Sequence, residues 1–281
     1  TRWIRFNMSR SILLKDKGFS LKEVVMCSPV TEYFLVDDKL KHNITENADK
    51  KGAIAQHKKL VRLIEKSGVR VLLIKELPGH PNSVFAKDTA VSTPRGFIKL
   101  RMGIRSRIGE ETWMRDYLRG KKVPEFASIT KPGTAEGGDV VFAGQVAFVG
   151  ISSRTNKHGA LQMKDLLERN GFEVRTFKVP HPFLHLGGAM SFIGENTILC
   201  VEKIFPINFF AGFKTVVIPN NGFVSGNVIT LNNKRLIVSD NNLIAIQKLK
   251  KAGFEIFKCC LSEFIKGTGG PSCLIMPTFR K

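Results

Sequence analysis

The chain has 281 residues, 43% of them hydrophobic, enough to bury a substantial core in one or two domains, and no low-complexity stretch marks it as disordered. Its formal charge of +20 comes from 44 Lys and Arg against 24 Asp and Glu, but the cations are scattered, as at Lys58–Lys59, Lys121–Lys122 and Lys248, Lys250 and Lys251. Scattered charge reads as a solvated surface rather than a nucleic-acid stripe, and it would repel a cationic substrate unless carboxylates stand near the site. Cys27, Cys200, Cys259, Cys260 and Cys273 are an odd, widely spaced set with no C-x-x-C, which excludes a disulfide framework and a zinc-ligand pattern and points to a reducing compartment.

The first 20 or so residues read as an extension; 1–14 is basic but lacks the continuous apolar core of a secretory signal. A strand begins at 23–26, and a helix follows over 46–66 with Ile54, Leu60, Leu63 and Ile64 on one side. Gly68 stops it and a strand returns at 69–74. A hairpin over 90–100 turns at Pro94-Arg95-Gly96 and leads to a helix over 108–118. Two strands over 139–151, a helix over 159–168 and a strand over 172–179 repeat the plan. Next come a hairpin over 189–201 turning at Gly194-Glu195-Asn196, a weakly helical 202–213 and a strand at 215–218. The apolar stretch at 204–213 is broken by Pro206 and Asn208 and falls short of the roughly 20 residues a membrane span needs. The last unit has a hairpin over 228–238, a helix over 242–251 and a strand over 254–257.

Three helix-to-strand junctions share one form, Gly68-Val69, Gly171-Phe172 and Gly253-Phe254, in which glycine supplies a left-handed cap and a strand starts at once. Five ββαβ-like units of this kind fit a repeat architecture within a single α/β domain spanning 1–281. A surplus strand at 272–276 would pair with the first unit and bring Cys273 to the closure. The expectation is a soluble, cytoplasmic protein, with a homodimer left open.

Cys273 follows Gly267-Thr268-Gly269-Gly270-Pro271-Ser272, a glycine-rich approach that lets backbone come close to a ligand, so it is the nucleophile candidate. The other four cysteines lie in or beside apolar strands and read as structural. Glu136 and Asp139 flank Gly137-Gly138, which presents Glu136 to a pocket, while Asp139 serves equally well as a backbone cap. Of six histidines, His185 sits in an apolar, glycine-containing setting suited to an acid and base; His57 and His158 fall in polar helices and read as surface. Asp88, in an apolar run, needs a partner: Lys87, an arginine or a cationic ligand.

In order, Ser83-Val84-Phe85 with Asp88, Arg101 with Ser106-Arg107, Glu136 through Val140, Ser153 through Ala160, His185-Leu186, Asn227, Leu261-Ser262-Glu263 and Gly270 with Cys273 resemble the guanidino-group-modifying enzymes, and among them the dimethylarginine dimethylaminohydrolases. That resemblance implies a five-bladed α/β propeller, the pentein fold, in which the Cys273 thiolate attacks a guanidinium carbon. His185 would protonate the departing amine and then activate water to release a ureido product such as citrulline from a covalent thiouronium. Methylated arginine is the implied substrate, with no metal or organic cofactor. Glu136 and Asp88 would hold the guanidinium, and Arg101 and Arg154 the substrate carboxylate; Asp139, Asn82 and Lys87 complete the expected substrate-binding set. Gly187 replaces an Asp of arginine deiminases and amidinotransferases, which favours a substituted guanidine, while Asn82 and Lys87 replace acidic residues near the substrate. The alternatives are an arginine deiminase or amidinotransferase, and a non-catalytic binder of ribosomal RNA resembling translation initiation factor six. The last would have no reason to keep Cys273, His185 and Glu136 together.

Overall fold

A computed structural model describes residues 20–281; the proposed N-terminal extension lies outside the described residues. In chain order, β1 (Leu21–Cys27) leads through α1 (Lys39–His42) and α2 (Lys50–Lys66) to β2 (Arg70–Ile74). The hairpin β3 (Ala90–Thr93) and β4 (Gly96–Lys99) is followed by α3 (Glu110–Gly120) and β5 (Glu125–Ser128). The hairpin β6 (Val140–Ala143) and β7 (Val146–Ile151) precedes α4 (Lys157–Glu168) and β8 (Glu173–Lys178). A short α5 (Leu186–Ala189) enters β9 (Met190–Gly194), β10 (Thr197–Val201) and β11 (Lys214–Ile218). Last come β12 (Ile229–Thr230), β13 (Arg235–Ser239), α6 (Leu243–Lys251), β14 (Glu255–Cys259), α7 (Ser262–Ile265) and β15 (Met276–Arg280).

These strands make five three-stranded sheets, ordered β15-β1-β2, β3-β4-β5, β6-β7-β8, β9-β10-β11 and β12-β13-β14. In each, the middle strand pairs antiparallel on one side and parallel on the other, with Val24 opposite Val71 and Val25 opposite Met276 in the first sheet. The first sheet therefore takes its antiparallel strand from the C-terminus. Middle strands are apolar because both their faces are covered; every residue of β10 is buried, while β8 on the outer edge has only exposed and half-buried residues. Helix α2 starts at Asp49, whose carboxylate accepts from the Gly52 amide at 2.6 Å, and buries Ala53, His57, Leu60 and Ile64 on one stripe. Gly68, Gly171 and Gly253 all have φ between 80° and 88° with open space where a Cβ would stand, so conformation and not crowding requires glycine there.

Neighbouring sheets are tied edge to edge. Ser92 donates to the Pro277 carbonyl at 2.8 Å, the Asp88 carboxylate takes the Gly138 amide at 3.0 Å, and β6 packs beside β9. Thr230 donates to the Phe192 carbonyl at 2.6 Å, and the Leu21 amide to the Leu231 carbonyl at 2.7 Å.

The structure departs from the sequence expectations in four places. β5 was not foreseen. The weakly helical stretch is a run of turns in which Phe205, Phe209, Phe210 and Phe213 pack on one another and over Phe148 and Phe177; Pro206 breaks the helical ladder and the aromatic cluster replaces it. The closing strand lies at Met276–Arg280, not 272–276, since Pro271 opens a 3-10 turn, Pro271–Leu274, that holds Cys273. His57 is buried against Phe264, and burial pushes its pKa down to about 4. Among the described residues no helix is long and apolar enough to cross a membrane.

Candidate active site

A pocket of about 140 Å³ is lined by residues of β3, β6, β9, β12 and β15, the antiparallel edge strand of each of the five sheets. Cys273, His185, Gly138, Gly187, Asn227 and Lys87 lie on its wall. Beneath the wall lies a buried ionic layer. Glu136, fully buried, accepts hydrogen bonds from His185 Nε2–H at 2.8 Å and from the Gly103 amide at 2.9 Å, with Arg107 and Arg154 each 3.8 Å away. Asp88 is paired with Arg107 at 2.7 Å and lies 3.9 Å from His185 Nε2. Arg107 also reaches Glu110 at 2.7 Å and the Phe85 carbonyl at 3.2 Å.

The sequence folds this way because the two glycines after Glu136 leave no side chains in the layer. A Cβ on Gly137 would run into the Lys87 carbonyl, and one on Gly138 would lie 2.7 Å from the His185 ring and 2.8 Å from Asp88. Asp139 then fixes the entry to α5. Its carboxylate accepts from Ser152 at 2.6 Å and from the Leu186 amide at 2.9 Å, directly after His185. On the opposite wall Asn227 accepts from the Ser272 amide at 2.9 Å and donates to the Gly187 carbonyl at 3.0 Å; its amide nitrogen is 3.7 Å from the Cys273 sulfur. The Gly270 amide approaches the same sulfur at 3.4 Å.

Burial alone would depress the His185 pKa, but the Asp88 charge, the Glu136 hydrogen bond and Asp139 outweigh it and lift the ring to about 9. Burial would raise Glu136; the His185 bond, Arg107 and Arg154 instead hold it well below the usual carboxylate range. Burial and the Asp88 charge push the Cys273 thiol up to about 12, against the Gly270 amide, Lys87 and Arg107. At neutral pH the resting pair is therefore a thiol and an imidazolium. Burial raises Cys200 and Cys259 to about 11 as well, so a perturbed thiol alone does not single out Cys273. Its place on a pocket beside cations does.

Several expected site residues stand elsewhere. Asp88 and Glu136 carry the expected charge but are not on the pocket wall; Arg107 is the arginine partner that Asp88 needed. Asp139 holds backbone and does not face the pocket. Arg101 donates to the Gly133 carbonyl at 3.0 Å, Arg154 lies behind Glu136, and Asn82 donates to the His42 carbonyl at 2.7 Å, so none of the three lines the pocket. Asp88, Glu136 and His185 lie within 4.8 Å of one another, donors that could serve a divalent cation, but Arg107 already supplies positive charge there. Two residues with a part in the site were not singled out for it: Arg107, whose signal was the need of Asp88 for a cation, and Arg280, on the pocket wall at the end of β15.

Residues 32–280 match the family model for N,N dimethylarginine dimethylhydrolase, eukaryotic. An uncharacterized protein of Aeropyrum pernix is 31% identical over 81% of this chain and 84% of its own length. The N(G),N(G)-dimethylarginine dimethylaminohydrolase of Pseudomonas aeruginosa is 30% identical over 79% of this chain and 87% of its own. A crystal structure of that Pseudomonas aeruginosa enzyme, a Cys-to-Ser mutant complexed with citrulline, superposes with a TM-score of 0.82 at 26% identity, covering 94% of this chain and all of that one. The chain belongs to the dimethylarginine dimethylaminohydrolase family of guanidino-group-modifying enzymes.

Proposed function

We propose that this protein is a cytoplasmic cysteine hydrolase that cleaves a C–N bond of substituted guanidines, methylated arginine among them, to a ureido product and an amine. The observation that carries the reading is that Cys273 and an imidazolium-prone His185 share one pocket, with Glu136 bonded behind the histidine. Five sheets that each send an edge strand to that pocket support a single five-bladed α/β propeller built around it.

In the proposed reaction the Cys273 thiol loses its proton to solvent, His185 being already protonated, and the bound guanidinium stabilises the resulting thiolate. The sulfur forms a bond to the guanidinium carbon, and the C–N bond to the substituted nitrogen breaks as that nitrogen takes a proton from His185. His185 Nε2 is engaged by Glu136, so the proton passed to the amine is taken to be the one on Nδ1. His185, now neutral, takes a proton from water as the oxygen adds to the thiouronium carbon. The C–S bond then breaks, the sulfur leaving as a thiol with the remaining hydroxyl proton and the carbon as the urea, which restores the resting thiol and imidazolium. Glu136 holds the ring and its charge throughout; it positions rather than grips substrate. Gly187, on the wall without a carboxylate, supports a substituted guanidine over plain arginine.

The test is a ureido-product assay over arginine, mono- and dimethylarginine and agmatine. Wild-type protein is expected to release ureido product and amine from the methylated substrates, with at least about a 1,000-fold loss in Cys273→Ser. Unchanged turnover in Cys273→Ser would overturn the assignment of the nucleophile.

A further inference from the structure

Four of the five units cross from the middle strand to the parallel edge strand through a helix, α2, α3, α4 or α6. The unit of β9, β10 and β11 crosses instead through residues 202–213, whose aromatic cluster packs inward on β7 and β8. Phe205 and Phe209 stack at 5.4 Å, and Arg175 donates to the Phe209 and Ala211 carbonyls, each at 2.9 Å. On this braced platform Ile207 stands wholly in solvent, between exposed Pro206 and Asn208. The chain runs from the platform into edge strand β11, which exposes Val217. Helix α6 packs on β11, its Lys248 donating to the Val217 carbonyl at 2.7 Å, and it exposes Leu243 and Ile244. Four of the ten large hydrophobic side chains exposed among the described residues therefore lie in one outer sector of the molecule.

Positive charge follows the same sector. Lys203 and Lys214, both exposed, bracket the platform. On α6, Lys250 and Lys251 follow Leu243 and Ile244 by seven positions, two helical turns along the same faces. Carboxylates on the neighbouring strands and turns are engaged by other cations: Glu173 by Arg175, Glu195 by Lys234 and Glu255 by Arg235. Glu202 and Asp240 are the acids left to oppose the lysines.

We infer that this sector is a lipid-docking face, which seats the protein reversibly on membranes that carry anionic headgroups. The inference stands apart from the hydrolase reading. An aliphatic side chain held out in water on a rigid base gains by entering the acyl boundary, with no loop left to order. The lysines beside it meet anionic headgroups, and their long stems let the ammonium groups rise as the aliphatic groups sink. The chain's formal charge of +20 adds a general attraction to the same surface. Nucleic acid would engage the lysines and leave the aliphatic groups in water. A second copy of the chain in a two-fold contact would bring the same lysines against one another.

The test is co-sedimentation with vesicles of phosphatidylcholine alone and of equimolar phosphatidylcholine and phosphatidylserine. Wild-type protein is expected to bind the mixed vesicles and not the phosphatidylcholine ones, and to lose binding as salt rises. Ile207→Asp should weaken that binding at least about tenfold, and so should Lys214→Glu combined with Lys251→Glu. Because the Ile207 side chain lies in solvent, the melting curve of Ile207→Asp should match wild type. Ile207→Trp reports insertion directly: it should bind as well or better, with emission shifted to shorter wavelength on mixed vesicles only, read against wild-type Trp3 and Trp113. The inference is overturned if wild-type protein does not bind the mixed vesicles, or if Ile207→Asp binds them as tightly. Unshifted Ile207→Trp emission in vesicle-bound protein also overturns it, since charge alone would then hold the protein. A lipid-free dimer on gel filtration that Ile207→Asp dissolves would assign the face to self-association instead. Binding of a single-stranded RNA that Ile207→Asp weakens as much as vesicle binding would assign it to nucleic acid.

Discussion

The floor and the wall of the Cys273 pocket handle charge in opposite ways. In the floor, Asp88, Glu110, Glu136 and Asp139 are interleaved with Arg107, Arg154 and His185, and most of the close contacts are internal to the protein. The wall is largely apolar; Ser191 and Thr230 turn their hydroxyls back onto the chain, and the Lys87 side chain makes no hydrogen bond or ion pair among the described residues. The floor sets protonation states; the wall is where a ligand is met. A family pattern read along the chain merges the two, because Asp88 and Lys87 are sequence neighbours that part to opposite sides. Asp88 and Glu136, the carboxylates expected to hold a guanidinium, contact Arg107 and His185 respectively.

The comparison breaks first at Arg107. Arg107→Met leaves Asp88 and Glu110 buried without their cation, which is expected to cost about 3–5 kcal/mol of stability. Chemical denaturation with fluorescence or circular dichroism as readout checks it. The double variant Arg107→Met with Asp88→Asn should recover part of that loss, since the charge that needed Arg107 is gone. A single variant as stable as wild type would mean that the floor is not the closed ionic layer described above.

Much of this was legible in the sequence. The hairpins, the helices and the glycine caps follow from local preference, and Cys273, His185 and Glu136 stand in short glycine-bearing motifs whose backbone demands are local. What was not legible depends on direction or on distant partners. β5 is only four residues, Glu125–Ser128, half-buried throughout, with no clean alternation to reveal it. Cys273 sits on a turn because Pro271 opens a 3-10 helix five residues before the strand begins at Met276. Arg101, Arg154 and Asn82 are residue types that suit a carboxylate or polar ligand, but whether such a side chain points into a pocket or behind it is set by packing across the sheets. Arg107 meets Asp88 across 19 positions, a pairing that no periodicity announces.

The second way to sharpen the comparison is through pH. The free enzyme rests as thiol and imidazolium, and the reacting pair, thiolate and imidazolium, carries one proton fewer. The free-enzyme kcat/KM should therefore rise about tenfold per pH unit above 7 and level near the His185 value of about 9. Glu136→Gln removes the anion that helps lift the ring. The plateau should begin at lower pH, and kcat should fall about 100-fold, in steady-state profiles run beside wild type. Linkage carries the same sign: a histidine raised from 6.5 to about 9 gives stability fully present below 6.5 and lost as pH rises through 9. Thermal melts over that range should show a shallower loss in Glu136→Gln. A pH profile that is flat from 7 to 9 in both proteins would separate the floor from the chemistry.

The smallest expected effect lies at Asn227, which touches the wall rather than the floor. Its side chain accepts from the Ser272 amide and donates to the Gly187 carbonyl, so it ties the Cys273 turn to the segment just after His185. Asn227→Ala removes both bonds, at a cost of about 1–2 kcal/mol in denaturation midpoint analysis. The wall reading predicts more than this structural loss. Burial, the Asp88 charge and the Gly270 amide all stay as they are around the sulfur, so the thiol keeps its pKa, but the turn that aims it loosens. Alkylation of Cys273 by iodoacetamide should therefore keep its pH dependence while kcat falls about tenfold. Had Asn227 acted on ionisation, as the floor does, the alkylation profile itself would move along the pH axis.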